Sequence, residues 1–242
     1  LLKAKPVFVD IESSTYNIDA NLIEKAITKK TKAIMPISLY GQPADMDVIQ
    51  SIADKYNLKI IIDGAQSFGS TCNNKTDSNL GDISITSFYP SKPLGCYGDG
   101  GAVFTNNNDY AKKLKMLRVH GQTERNYHKY IGIGGRMDTI QAAILLAKLE
   151  YFSQEIKDRQ KIAEYYTNSL SDILQTPTIK INKTSVWAQY TIRVKDRDEI
   201  QNKLKKKGIP TSVFYPIPLH LQECFKYLNY KKGDFIISEK VS

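Results

Sequence analysis

Along the first hundred residues, short apolar runs alternate with stretches whose apolar positions recur at helical spacing. Residues 6–10, Pro-Val-Phe-Val-Asp, read as a strand. Asp19 then stands as an N-cap ahead of Leu22, Ile23, Ala26 and Ile27, whose spacing predicts a helix. A strand is expected at 33–37. After the loop Tyr40-Gly41-Gln42-Pro43, Asp45 caps a second predicted helix with Met46, Ile49, Ile52 and Ala53 on one face and Asn57 at its end. The run Leu58-Lys59-Ile60-Ile61-Ile62 is a further strand and leads into Asp63. This βαβαβ order predicts a mostly parallel sheet sandwiched by helices, an architecture that gathers ligands at the carboxyl ends of its strands.

Downstream, strands are expected at 83–88 and 101–105, a helix at 110–117, and a polar, glycine-rich segment at 120–135. From Asp138, the positions Ile140, Ala143, Leu146, Leu149 and Phe152 predict a long helix running to about Leu170. It would join a large domain, residues 1–150, to a smaller α/β domain at 151–242. In the smaller part, residues 187–194 read as a strand, 198–207 as a helix stopped by Gly208, and 209–214 as a second strand.

Composition changes this picture little. With 242 residues, 41% hydrophobic and 24% charged, the chain fits an ordinary globular protein. No stretch approaches the ~20 apolar residues of a membrane span, and Leu1-Leu2-Lys3-Ala4-Lys5 lacks the apolar core of a signal peptide, so a cytoplasmic location is expected. Both ends read as interruptions of a longer polypeptide. Cys72, Cys96 and Cys224, like His120, His128 and His220, are scattered without metal-ligand or disulfide spacing, so neither a metal nor a disulfide framework is expected. The net charge of +9 comes from dispersed lysines, densest at 203–207 on a predicted helix face, and no aromatic-basic platform accompanies it. That argues against nucleic acid and is compatible with an anionic small-molecule substrate.

Two segments carry chemistry. Asp63 closes a buried strand and opens Asp63-Gly64-Ala65-Gln66-Ser67, and an acid placed there calls for a cation. Lys92 follows the strand-like Ile83-Ser84-Ile85-Thr86 within Ser87-Phe88-Tyr89-Pro90-Ser91-Lys92-Pro93-Leu94-Gly95, ahead of a glycine-rich turn. Pyridoxal phosphate (PLP) answers both: its ring nitrogen must stay protonated beside a carboxylate, and its aldehyde needs a lysine amine for a Schiff base. Neither Gly98-x-Gly100 nor Gly132-x-Gly134 completes a dinucleotide fingerprint, because Val103 and Met137 stand where a glycine or alanine is required.

Three blocks, Asp63-Gly64-Ala65-Gln66-Ser67-Phe68-Gly69, Ser87-Phe88-Tyr89-Pro90-Ser91-Lys92 and Gly135-Arg136-Met137-Asp138-Thr139-Ile140-Gln141-Ala142-Ala143, resemble the DegT/DnrJ/EryC1/StrS sugar aminotransferases. The resemblance runs from about Ala4 to the last residues. It implies an aspartate aminotransferase-like α/β fold, PLP fold type I, and PLP as cofactor. It implies Lys92 as covalent anchor and proton carrier, Asp63 at the pyridine nitrogen, Ala65 beside the ring, Gln66 near the phenolic oxygen and Ser87 at the phosphate. Tyr190, Tyr215 and His220 resemble positions lining the substrate mouth. The implied reaction moves an amino group from L-glutamate, leaving 2-oxoglutarate, to a UDP-linked keto-sugar in bacterial surface polysaccharide synthesis, within a homodimer that shares its sites. The wording Ser-Lys-Pro-Leu-Gly-Cys-Tyr-Gly-Asp-Gly-Gly, with His120-Gly121-Gln122, resembles most the members that aminate C3 of UDP-3-keto-N-acetylglucosaminuronate. C4 amination of a UDP-4-keto-6-deoxy sugar and a non-catalytic sensor stay open. A related dehydratase replaces the lysine with histidine, so Lys92 counts against it. One departure stands out: many members of the resembling family carry Gly-x-Asn-x-Arg, with the Asn reaching the neighbouring subunit's cofactor phosphate, where this chain has Gly134 before Arg136. Either backbone N–H groups of this turn substitute, or phosphate binding is weaker.

Overall fold

In the computed structural model, which describes residues 3–242, each predicted element of the first hundred residues but one forms. Leu1 and Leu2, at the start of the segment weighed against a signal peptide, lie outside the described residues. Helix α1 (Ala20–Ala26) begins at Asp19, whose carboxylate accepts the Asn21 N–H. Strand β1 (Ala33–Ile34) is followed by helix α2 (Met46–Tyr56), which ends on Asn57 in the left-handed region at φ 51°. Next come β2 (Lys59–Asp63), a small antiparallel ribbon of β3 (Thr71–Cys72) and β4 (Lys75–Thr76), then β5 (Ile83–Ser87) and β6 (Gly101–Phe104). Helix α3 (Asn108–Leu117), a second ribbon of β7 (Gln122–Glu124) and β8 (Tyr127–His128), and the long α4 (Thr139–Leu170) follow. Helices α5 (Arg197–Lys206) and α6 (Ile236–Val241) belong to the last part of the chain.

The main sheet has four strands in the order β1-β2-β5-β6. β1, β2 and β5 run parallel, with Asp63 opposite Ile85, so β2 and β5 present their carboxyl ends on the same edge. β6 is antiparallel to β5, because residues 88–100 return as a closed turn instead of a helical crossover: Phe88 N–H donates to Gly100 and Cys96 N–H to Phe88. The face of α2 read from spacing, Met46, Ile49, Ile52 and Ala53, is the buried one and packs with Ile34, Ile60 and Ile62. Each fully buried isoleucine there contributes about 2 kcal/mol of transfer free energy. A second core joins Phe88, Leu94 and Cys96 of the turn to Leu145 and Phe152 of α4. The turn that carries Lys92 is thus fixed on the long helix.

Three expected strands do not form. Among the described residues, 6–10 pair with no strand; Phe8 packs instead against Phe225, Tyr230 and Phe235, and the Asp10 carboxylate accepts the N–H groups of Ile11, Ile237 and Ser238. Residues 187–194 and 209–214 are irregular as well. Trp187 sits at φ 51°, which breaks the extended run, and only Arg193 makes a bridge, to Gln175. An apolar alternation becomes a strand only where a neighbour accepts its ladder. Helix α4 forms over the expected range, yet of its predicted stripe only Phe152 is buried, while Ile140, Leu146 and Leu149 are exposed.

Beyond α4 the chain is clamped back to the start of α2. Lys180 Nζ reaches Glu12 at 2.7 Å and Asp45 at 2.5 Å, and Lys183 bonds Asp45 and the carbonyls of Pro43 and Ala44. Burial alone would raise the Asp45 carboxyl, but hydrogen bonds and charge from the two lysines bring it down to about 2. A carboxylate depressed from its unfolded value near 3.9 adds stability that is complete above about pH 4 and lost as the pH falls toward 2. Asp45→Asn is therefore expected to lower unfolding free energy by about 2 to 4 kcal/mol at pH 7, and by little at pH 2. Urea titrations at the two pH values check this; an equal loss at both would contradict it.

Candidate active site

Asp63 is placed by backbone bonds on both sides. Its N–H donates to Pro36 at 2.9 Å and its carbonyl accepts the Ser38 N–H at 3.0 Å, while its Oδ1 accepts the Ala65 N–H at 3.1 Å. That last bond is an Asx turn, and it aims the chain away from the sheet edge. Gly64 follows where a side chain would be crowded: a Cβ there would stand 3.0 Å from the Ile85 carbonyl and 3.2 Å from Asp77 Oδ2. The Gly64 N–H bonds that same Ile85 carbonyl, which locks the turn to β5.

Gln66, only 8% exposed, has both ends of its amide engaged. Oε1 accepts the Tyr40 N–H at 2.6 Å, and Nε2 donates to the Tyr215 hydroxyl at 2.9 Å. Tyr40 is held at φ 57°, and its own hydroxyl donates to the Phe214 carbonyl at 2.5 Å. Burial pushes the Tyr40 phenol up, with Tyr215 and Tyr16 adding to the rise, so it remains a donor throughout the physiological range. This polar set brings residues 214–215 onto the Asp63 loop.

Ser87 ends β5, and its Oγ accepts the Tyr89 N–H at 3.2 Å, which leaves the hydroxyl proton free to donate. Lys92 sits on the turn closed by its N–H to the Tyr89 carbonyl at 2.8 Å. Among the described residues its Nζ has no hydrogen-bond or ion-pair partner. The turn itself is strongly held: Cys96 Sγ donates to Phe88 at 3.0 Å, Gln141 Oε1 accepts the Tyr97 N–H at 2.8 Å, and Lys148 Nζ donates to the Gly95 carbonyl at 2.6 Å. The arrangement offers a free amine on a rigid turn and a carboxylate on the adjacent strand end.

The structure therefore puts Asp63, Ala65, Gln66, Ser87 and Lys92 along the carboxyl edge of two neighbouring strands, and brings Tyr215 to Gln66. The other two residues expected at the mouth, Tyr190 and His220, have partners of their own. The Tyr190 hydroxyl pairs with Thr167 of α4 at 2.8 Å and its ring lies against Trp187 and Tyr166. His220 is buried, bonded to Glu239 at 2.9 Å and packed edge-on to Phe235. Gly134 lies beside the His120 imidazole, whose Cε1 would be 3.0 Å from an added Cβ, so a side chain there would require the ring to shift by a few tenths of an ångström. The neighbouring N–H groups of Ile133 and Gly135 donate to the Leu117 and Arg118 carbonyls. Sequence reasoning missed Tyr40, Asp77, Gln141 and Lys148. The last two had a legible signal, since seven residues apart on one helix they share a face.

The chain matches the DegT/DnrJ/EryC1/StrS aminotransferase family over residues 1–242. It is 53% identical, over 92% of its length and 62% of the relative's, to a Pseudomonas aeruginosa protein named UDP-2-acetamido-2-deoxy-3-oxo-D-glucuronate aminotransferase. It is 45% identical, over 99% of its length and 65% of the relative's, to a Geobacillus stearothermophilus protein named pleiotropic regulatory protein. Its fold superposes with a TM-score of 0.89 and 34% identity on the crystal structure of NtdA from Bacillus subtilis with bound cofactor PMP, over 98% of this chain and 56% of that one. The chain thus spans less than two thirds of the length of each of these three proteins. With its mostly parallel sheet and flanking helices it has the type I α/β fold of PLP-dependent transferases, and it belongs to the DegT/DnrJ/EryC1/StrS aminotransferase family.

Proposed function

We propose that the protein uses PLP to transfer an amino group from L-glutamate to a nucleotide-linked keto-sugar. The observation that carries this reading is the pairing, on one sheet edge, of an Asp63 carboxylate and a Lys92 amine that have no partner of opposite charge among the described residues. A half-buried carboxylate without a cation fits a protonated pyridine nitrogen, and the small Ala65 beside it leaves room for a flat ring. The NtdA structure, with PMP, the amino form of the same cofactor, supports the fit.

Bound there, PLP supplies an electron sink and a temporary carrier for the amino group. Asp63 would keep the ring nitrogen protonated. Gln66, oriented by Tyr40 and Tyr215, would set its amide beside the phenolic oxygen, and Ser87 would donate its free hydroxyl proton to the phosphate. Lys92 would hold the cofactor covalently at rest and, once displaced by the donor amine, take the proton from the donor Cα. Rigid support of its turn by Gln141 and Lys148 limits where that proton can go.

For the acceptor, similarity to the Pseudomonas relative supports C3 of UDP-3-keto-N-acetylglucosaminuronate; amination in the cytoplasm would then feed lipopolysaccharide O-antigen or related surface polysaccharides. C4 amination of a UDP-4-keto-6-deoxy sugar is the rival chemistry. A sensor role is the second reading, favoured by the regulatory name of the Geobacillus relative. Exposed Ile131, Ile133, Ile140 and Leu146 support a homodimer, since so many apolar side chains in water call for a partner surface. Full-length protein incubated with PLP, glutamate and a panel of UDP-keto-sugars should aminate the 3-keto-uronate fastest and sediment as a dimer. Preference for a 4-keto sugar would reassign the substrate. Cofactor uptake without turnover on any sugar would favour the sensor.

A further inference from the structure

The main sheet hides a second carboxylate that the proposed chemistry does not use. Asp77 follows β4 and is 0% exposed. Its Oδ1 accepts the Ser38 hydroxyl at 3.1 Å, its Oδ2 accepts the Ser67 hydroxyl, and its N–H donates to the Ser70 carbonyl at 2.9 Å. Ser38 in turn donates its N–H to the Asp63 carbonyl, and Ser67 donates its N–H to Gly64. Both serines that hold Asp77 thus also hold the loop that begins at Asp63. Gly64 makes the approach close, for its missing Cβ would stand 3.2 Å from Asp77 Oδ2.

Packing does not account for a charge at this position. Two serine hydroxyls need an acceptor, and a neutral amide oxygen would serve at a lower desolvation cost. The groups facing Asp77 are Asp63 from β2, the Cys72 thiol from β3, and Lys183, whose amine is already bonded to Asp45. Among the described residues Asp77 makes no ion pair of its own. Burial raises its carboxyl to about 6, with the Asp63 charge adding to the rise and the two serines and Lys183 opposing it. Both of its oxygens accept hydroxyl protons, the arrangement of an ionised carboxylate, which places a buried negative charge directly behind the Asp63 loop.

We propose that Asp77 is a positioning residue for Asp63: through Ser38 and Ser67 it fixes the loop that presents the Asp63 carboxylate, and its charge strengthens that carboxylate's hold on a cationic ring nitrogen. The inference rests on the PLP reading of the site. Its sign follows from electrostatics, because a nearby anion favours every cationic form in the site and its removal disfavours them.

The test uses full-length protein loaded with PLP. Asp77→Asn keeps the size and one acceptor and removes the charge. Its thermal unfolding should stay cooperative, its PLP affinity should fall roughly tenfold, and the pH midpoint of the bound cofactor's absorbance should move down by about half a unit or more. A merely structural residue would not move that midpoint. Should the Asn variant fail to fold, Ser38→Ala and Ser67→Ala, which leave the carboxylate and remove one hydroxyl each, are expected to weaken PLP binding severalfold. Unchanged affinity in both would overturn the proposal. Wild type that binds PLP, with an Asn variant matching it in affinity and midpoint, overturns the role of Asp77 alone. Wild type that takes up no PLP overturns this role together with the function beneath it.

Discussion

Lys92→Ala is expected to reduce amino transfer by many powers of ten while leaving the fold intact. The covalent anchor and the carrier of the donor Cα proton are the same amine, so one substitution removes both roles. The fold should not notice. The turn is held by Cys96, Gln141, Lys148 and the Phe88 backbone, none of which uses the Lys92 side chain. Unfolding free energy should therefore stay within about 0.5 kcal/mol of wild type, as for a surface substitution away from packing. Borohydride reduction of the PLP-loaded wild type, followed by peptide mapping, should find the pyridoxyl group on Lys92. A label on any other lysine would refute the assignment, and so would an active alanine variant.

Asp63→Asn is the second large effect. The amide keeps an oxygen for the Ala65 N–H, so the Asx turn survives and the loop should stay in place. The charge does not survive. A unit charge at ~4 Å in an effective dielectric of ~20 is worth about 4 kcal/mol, on the order of a thousandfold in rate if it acts on the protonated ring nitrogen. Single-turnover absorbance with glutamate measures this half-reaction directly. A rate within a few-fold of wild type would show that Asp63 is not the partner of the ring nitrogen.

Much of this was legible because local rules and tertiary packing agree in the first hundred residues. The Met46, Ile49, Ile52 and Ala53 face, the Asn57 stop and the Asp63 strand end follow from spacing, capping and turn chemistry, and the sheet uses them as read. Agreement ends where a segment's partner is decided far away in the chain. Residues 6–10 alternate like a strand, but the aromatic cluster around Phe225, Tyr230 and Phe235 takes Phe8, and no strand lies alongside. The stripe of α4 was read correctly as helical, yet periodicity cannot say whether a face meets its own core or another surface, and Ile140 and Leu146 are exposed. At the candidate site, Asp63 and Lys92 stand out through their chemistry and, with Gln66, through their place in two of the three resembling blocks. Asp77 was not, since nothing in a short polar hairpin marks which of its residues will end up under a loop ten positions earlier. Tyr40 escaped for the same reason: its contribution is a backbone N–H to Gln66, which no side-chain pattern encodes.

Helix α4 has a mechanical consequence. Its 32 residues make a rod about 48 Å long. Near one end Gln141 and Lys148 grip the Lys92 turn, and toward the other Arg159 bonds the Trp187 carbonyl, Gln160 accepts the Trp187 indole N–H, and Thr167 pairs with Tyr190. Between those grips the helix is seated by buried Leu145, Phe152 and Ala163. The Lys92 turn and the Trp187–Tyr190 segment therefore share one support, and a substitution that loosens α4 at Phe152 is expected to disturb both.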